Sequence, residues 1–209
     1  AVLNGVEAFL KAVPTARPAD ISFFAHGTTV ATNAVIERKG VTTGLLITRG
    51  TQAVYMARMS RQQPPAEMLN PHFKKPEPLM PPRLTREIPE RIFFDGSVGT
   101  TLDEAAVLAG VEDLVRLHQI QSLAVCYLFS FMNPRHEQRT REIVKQRFPN
   151  IRVSISSDII PIIREYRRLS TTALDAYIGP TLDRYLNRLG DGLHGIIWQL
   201  ELASRACFF

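Results

Sequence analysis

Two periods alternate along the chain. Four short stretches predict strands: "ISFFAHG" (21–27), "VTTGLLITRG" (41–50), "SLAVCYLFSF" (122–131) and "IRVSISSDI" (151–159). The first reads as buried, and "SLAVCYLFSF" is apolar on both sides, as a central parallel strand requires. Between them, apolar residues recur every three or four positions, which predicts helices. One helix is expected over 30–39, with Thr29 as N-cap, Arg38 and Lys39 at the negative end, and Gly40 as left-handed C-cap. "TQAVYMARMS" (51–60) starts a short helix. "TLDE" (101–104) is a capping-box pattern in which Thr101 and Glu104 satisfy each other's amides. Behind it Val107, Leu108, Val111, Leu114 and Val115 share a face. Asn133 and Pro134 suit the N-cap and first position of the next helix. A last helix is expected over 170–189, striped by Leu174, Tyr177, Ile178, Leu182, Tyr185, Leu186 and Leu189 and kinked at Gly179-Pro180. Strands alternating with amphipathic helices predict an α/β fold with a mostly parallel sheet. No internal repeat is visible.

One region breaks the alternation. Residues 62–90 hold eight of the 14 prolines, which rules out a regular element through most of the stretch and predicts an extended excursion or lid. "RIFFDGSV" (91–98) then reads as a strand running into a turn. At 209 residues the chain can bury a sizeable core. No apolar run is long and clean enough to span a bilayer, and the start lacks the architecture of a signal peptide. Cys126 and Cys207 sit in unrelated contexts, so neither a disulfide framework nor a metal site is expected, and a reducing cytoplasm is the default. The net charge of +5 permits an acidic partner. The basic residues are dispersed among acids, however, and no basic stripe interleaved with aromatics marks a nucleic-acid surface. In the one local cluster, "REYRRLS" (164–170), Arg164, Arg167 and Arg168 read as surface ion-pairing residues.

The candidate chemistry gathers at "HGTT" (26–29). A strand that ends in a glycine turn and opens a helix presents free amides, and the helix dipole favours an anion there. Gly27 lets a ligand approach the backbone, and Thr28 and Thr29 add hydroxyls. The residues taken alone favour a capped turn with a satisfied histidine over a ligand-facing corner, because no Walker lysine or G-x-G-x-x-G accompanies them. Arg58 and Arg61 in "YMARMSR" are either surface arginines or a guanidinium pair aimed at a carboxylate or phosphate. Ser156, Ser157, Asp158, Ser170, Thr171 and Thr172 read as caps and turns, since no nucleophile elbow is present. His72, His118, His136 and His194 show no metal-ligand spacing and read mostly as surface or cap residues.

Taken together, "HGTTVATNAVIERKG", "TTGLLITRG", "YMARMSR", "KKPEPLMPPRL", "IPERIFFDGSV", "LAVCYLFSFMNPRHEQ" and "VSISSDIIPIIREYRRLSTTALDAYIGP" resemble the hydantoinase A/5-oxoprolinase family, which includes acetone- and acetophenone-type carboxylase subunits. The likeness runs in order over residues 1–192. It implies a partial actin-like ATPase lobe of the ribonuclease H-like class, with a mostly parallel mixed sheet flanked by helices. It also implies ATP with Mg²⁺ in the complete protein, used to phosphorylate the amide or carbonyl oxygen of a substrate before hydrolysis or carboxylation. His26, Gly27, Thr28, Thr29 and Asn33 match the family's turn at the interlobe cleft, and Arg58 and Arg61 match a region suited to substrate or phosphate contact. The resemblance thereby tips the "HGTT" turn towards a ligand.

The departures set further expectations. The family's Asp-Gly-Gly-Thr phosphate hairpin and its second lobe are absent, the 54–61 stretch is one residue short, and Ala57 stands where glycine is common. The tail, 193–209, resembles nothing in the family. The expected reading is a fragment of an ATP-dependent cyclic-amide hydrolase, inactive alone, completed by a hydantoinase B-type subunit or a second lobe. The alternatives are a ketone carboxylase fragment and a non-catalytic lobe that binds a partner or small molecule. An uncovered apolar face predicts self-association or poor solubility, with Ile196, Ile197, Trp198 and Leu200 available to cover part of it.

Overall fold

The computed structural model describes residues 2–15, 26–53, 72 and 78–196, the last three by backbone alone. They fall into two compact units, one comprising residues 40–180 and the other residues 1–39 with 181–209.

The larger unit is built on β1 (Thr43–Thr48), β2 (Thr85–Ile88), β5 (Ser122–Cys126) and β6 (Arg152–Ile155), ordered β2-β1-β5-β6. Every pairing in this sheet is parallel. The two inner strands β1 and β5 are buried at every position, which is why their sequences are apolar without alternation. Alternation survives as a sorting between two cores. Leu46, Leu123, Val125 and Ile155 face α3 (Glu104–His118) and α4 (Arg135–Arg147), meeting Val107, Val111, Leu114, Ile143 and Val144. Leu45, Ile47, Ala124 and Cys126 face the opposite side, against Met80 and the Leu169, Ala173 and Ala176 face of α6 (Glu165–Ile196). The register agrees, with Leu45 beside Ala124 and Ile47 beside Cys126. A two-stranded antiparallel hairpin, β3 (Arg91–Ile92) with β4 (Val98–Thr100), follows β2. The α/β expectation therefore holds.

In the smaller unit, α1 (Val2–Ala12) packs Val2, Leu3 and Val6 against Tyr185, Leu189 and Leu193 of the last helix. α2 (Val30–Ile36) also belongs to this unit.

Several local expectations are corrected. The strand predicted at 21–27 lies outside the described residues up to Ala25, and His26 and Gly27 are not strand. The helix after it ends at Ile36, and the left-handed residue is Arg38, at φ 52°, not Gly40. Gly40 is needed for another reason: the Tyr177 ring occupies the place of its missing Cβ. The Pro-rich stretch ends in the regular strand β2, whose Thr85 and Ile88 are buried. The cap of α3 is Asp103, which accepts from Ala106 N at 2.9 Å, so "TLDE" caps two residues later than predicted. Glu104 then turns outward to a forked pair with Arg139, at 2.7 and 3.0 Å. That pair holds the Glu104 carboxyl below its ordinary value, yet as a surface pair it adds little stability. Leu108 is 36% exposed, off the buried face. α4 begins at Arg135 with Pro134 in the cap position, while Asn133 Oδ1 accepts from Arg135 N at 3.3 Å. The strand predicted to Ile159 stops at Ile155, and Ser156–Ile159 forms the short helix α5. The last helix starts five residues earlier than predicted, at Glu165. Residues 197–209 of the tail lie outside the described residues, as do the side chains of 194–196.

Gly40→Ala drives a methyl group into the Tyr177 ring and is expected to destabilise by about 1–3 kcal/mol. Gly27→Ala, with no described residue within 4 Å of its Cβ position, is expected to be near neutral. Urea unfolding of the two variants beside wild type checks the contrast.

Candidate functional site

Open parallel α/β sheets bind ligands beyond the carboxyl ends of their strands, where polar groups collect. In the larger unit this edge carries a buried polar network. Glu137, fully buried at the start of α4, accepts from Tyr127 N (2.9 Å), Ser156 Oγ (2.6 Å) and Ser157 N (2.8 Å). The Ser156 hydroxyl also meets Ser130 Oγ at 3.0 Å. Arg168, fully buried on α6, donates to Tyr127 O at 2.6 Å and lies 5.1 Å over the Phe131 ring. The Tyr127 hydroxyl meets Thr140 Oγ1 at 3.1 Å. A second chain starts at Leu128 N, which donates to Thr48 Oγ1 at 2.9 Å. The Thr48 hydroxyl donates to Glu90 Oε1, and Glu90 Oε2 lies 2.8 Å from His136 Nδ1.

These positions correct two expectations and add a partner to a third. Arg168 is not a surface ion-pairing residue, because the last helix starts early enough to turn it inwards. His136 is not a surface residue: it is 7% exposed and bound to Glu90. Ser156 and Ser157 do turn the chain, but they do so by binding Glu137. The sequence offered one signal for this network: "NPRHEQ" places a histidine and an acid in the first turn of a helix directly after a buried strand. Cys126 lies on the opposite face of β5, where burial pushes its thiol up from 9.0 to about 11.

Of the predicted site residues, His26, Gly27, Thr28, Thr29 and Asn33 lie in the smaller unit. His26, Gly27, Thr28 and Thr29 form an exposed loop leading into α2. Thr29 occupies the N-cap position without a side-chain cap bond; its Oγ1 instead accepts from Asn33 Nδ2 at 3.4 Å. The capping contact comes from Thr28, whose Oγ1 accepts from Val30 N at 3.2 Å. Both hydroxyls thus already accept, which leaves their hydrogens to donate outwards. His26 Nε2 lies 2.6 Å from Tyr185 Oη, a partner not singled out beyond its place in an apolar stripe. Gly27 has no positive φ and, among the described residues, no neighbour that excludes a side chain. Arg58 and Arg61 lie outside the described residues.

A cavity of about 390 Å³ runs along β6, lined by Arg141, Lys145, Arg152, Asp158 and Asp175 among others. Its arginines are already engaged, Arg141 with Asp158 and Arg152 with Asp175. Among the described residues, no group of three or more His, Cys, Asp or Glu is arranged to hold a metal ion, and no helix is long and apolar enough to cross a membrane.

The parallel α/β sheet, with polar groups gathered at its carboxyl edge, places the larger unit in the class of open α/β folds. Residues 1–148 match the profile of the hydantoinase/oxoprolinase N-terminal region, and the chain belongs to this family. It is 37% identical over 201 residues to caprolactamase subunit alpha of Pseudomonas jessenii, covering 90% of this chain and 27% of that protein. It is 33% identical over 190 residues to the acetophenone carboxylase gamma subunit of Aromatoleum aromaticum, covering 84% of this chain and 26% of that one. The crystal structure of the ATP-dependent caprolactamase from Pseudomonas jessenii superposes with a TM-score of 0.80 at 35% identity, covering 91% of this chain and 28% of that one. The chain thus spans about a quarter of the length of these relatives.

Glu137→Ala would strand the amides of Tyr127 and Ser157 and leave Arg168 without its nearby opposite charge. It is expected to cost about 3–5 kcal/mol, and Glu137→Gln clearly less, since one acceptor oxygen survives. Urea denaturation measures both. The Cys126 thiol is expected to resist iodoacetamide in the folded protein until pH approaches about 11, as peptide mapping by mass spectrometry would show. Because its folded value is the higher one, its contribution to stability is complete below pH 9.0 and is lost as the pH rises towards about 11.

Proposed function

We propose that the chain supplies the N-terminal portion of an ATP-dependent enzyme that hydrolyses a cyclic amide of the hydantoin, 5-oxoproline or caprolactam kind. The observation that carries this reading is the 37% identity to caprolactamase subunit alpha across 90% of the chain. A ring amide is a poor electrophile, and ATP with Mg²⁺ supplies the phosphoryl group that turns its oxygen into a leaving group. His26, Gly27, Thr28, Thr29 and Asn33 are the residues proposed to face these oxygens. Three features suit them to that role. The loop is exposed, two hydroxyl hydrogens are left to donate, and Gly27 leaves room for close approach. Arg58 and Arg61 complete the proposed set through their guanidinium chemistry.

In this reading a second lobe or a hydantoinase B-type subunit completes the site, since phosphoryl transfer depends on positioning from several sides. The purified 209-residue chain is expected to release no phosphate from Mg-ATP with hydantoin, 5-oxoproline or caprolactam. Turnover is expected once the second-lobe and B-type polypeptides are added. Turnover by the chain alone would overturn this division of labour, and silence of the complete assembly towards every ring amide would overturn the reaction. In that assembly Gly27→Ala, near neutral for folding, is expected to lower kcat/KM by roughly 10²-fold through misplacement of the bound group.

A second reading rests on the 33% identity to the acetophenone carboxylase gamma subunit: the same activation serving carboxylation of a ketone. Fixation of labelled bicarbonate that depends on ATP and on acetone or acetophenone distinguishes it.

A further inference from the structure

His26 is held from one side by a residue far along the chain. Tyr185 Oη lies 2.6 Å from His26 Nε2, and the two ring centroids are 6.1 Å apart at 40°. The tyrosine is not a loose surface group. Its ring packs against the Leu189 and Leu193 cluster of its own helix, against which Val2, Leu3 and Val6 of α1 also pack. The hydroxyl is therefore carried on a ring held by an apolar cluster.

The length of the contact indicates its direction. Hydrogen bonds donated by a ring or backbone N–H cluster near 2.9–3.0 Å, whereas hydroxyl donors sit closer. A contact of 2.6 Å fits a hydroxyl donor better than a ring N–H donor, although either tautomer can form it. A neutral imidazole that accepts at Nε2 carries its hydrogen on Nδ1. We infer that Tyr185 is a positioning residue that holds His26 in the Nδ1–H form, making the histidine a hydrogen-bond donor and not a proton acceptor towards its ligand. The ligand role rests on the reading of the 26–29 loop given under Proposed function; the tautomer does not. With Thr28 and Thr29 each already accepting, the loop then presents three donor hydrogens, which suits a phosphate or carbonyl oxygen.

The test is a long-range ¹H–¹⁵N correlation spectrum of the histidine rings in the full 209-residue chain at a pH where His26 is neutral, with His26 assigned from the His26→Gln spectrum. The expected result is a pyrrole-like Nδ1 and a pyridine-like Nε2. Tyr185→Phe keeps the ring packing and removes the donor, so His26 is expected to revert towards the commoner Nε2–H form while the other four histidines stay unchanged. A pyrrole-like Nε2 in wild type, or the same tautomer in both proteins, overturns the inference. Inorganic phosphate added to the wild-type sample provides the second arm, in which the amides of Thr28 and Thr29 and the ring of His26 are expected to shift together. Should the tautomer be as inferred and phosphate move none of them even with the second-lobe and B-type polypeptides added, the ligand-facing reading of the loop falls and the positioning by Tyr185 stands.

Discussion

The larger unit depends on how two buried opposite charges are held by one stretch of main chain. Glu137 and Arg168 are both fully buried, and no direct ion pair joins them. Tyr127, at the end of β5, connects them: its N–H donates to the carboxylate and its carbonyl accepts from the guanidinium. Burying a charge is costly unless it is hydrogen-bonded and compensated. Here the backbone of one residue binds one charge on each side. The arrangement fixes where the strand must stop, because Tyr127 cannot continue a sheet ladder while serving both groups. It also ties together three elements that are distant in sequence: the end of β5, the start of α4 and the start of α6.

The neighbouring contacts extend this lock. Glu137 also takes the hydroxyl of Ser156 and the amide of Ser157, which ends β6 and turns the chain into α5. Thr48 and Glu90 do the same for β1 and the segment after β2, with His136 closing the set from α4. The carboxyl edge of the sheet is thus organised by buried polar groups, while the sheet faces are organised by apolar packing. The loop bearing His26, Thr28 and Thr29 is the opposite kind of structure: its polar groups are exposed and partly unspent. That contrast is why the network reads as scaffold and the loop is the proposed site.

Much of the architecture was legible in the sequence because burial on both faces leaves a plain mark. β1 and β5 appear as unbroken apolar runs, and the helices between them as stripes. The elements whose identity depends on tertiary partners were less legible. Nothing local in "SISSDI" shows that Glu137 will take Ser156 and Ser157 and end the strand. Nothing local in "REYRRLS" distinguishes the buried Arg168 from Arg167 beside it. Asp103 outcompetes Thr101 as the cap of α3, while Glu104 is drawn to Arg139. In the site, the loop was visible from His26 to Thr29 because its residue types are unusual at a helix start. Its supporting tyrosine was hidden inside an apolar stripe, where one hydroxyl among leucines looks like packing.

The outer strands of the four-stranded sheet have a bearing on how the protein behaves in a crowded solution. β2 and β6 are its margins among the described residues, and a margin offers unpaired amides and carbonyls to any passing extended chain. Both margins carry ions in their short spans: Arg86 and Glu87 on β2, and Arg152 on β6 with Arg141 and Lys145 alongside. A neighbouring strand that docked there would have to accommodate those charges, which works against edge-to-edge pairing.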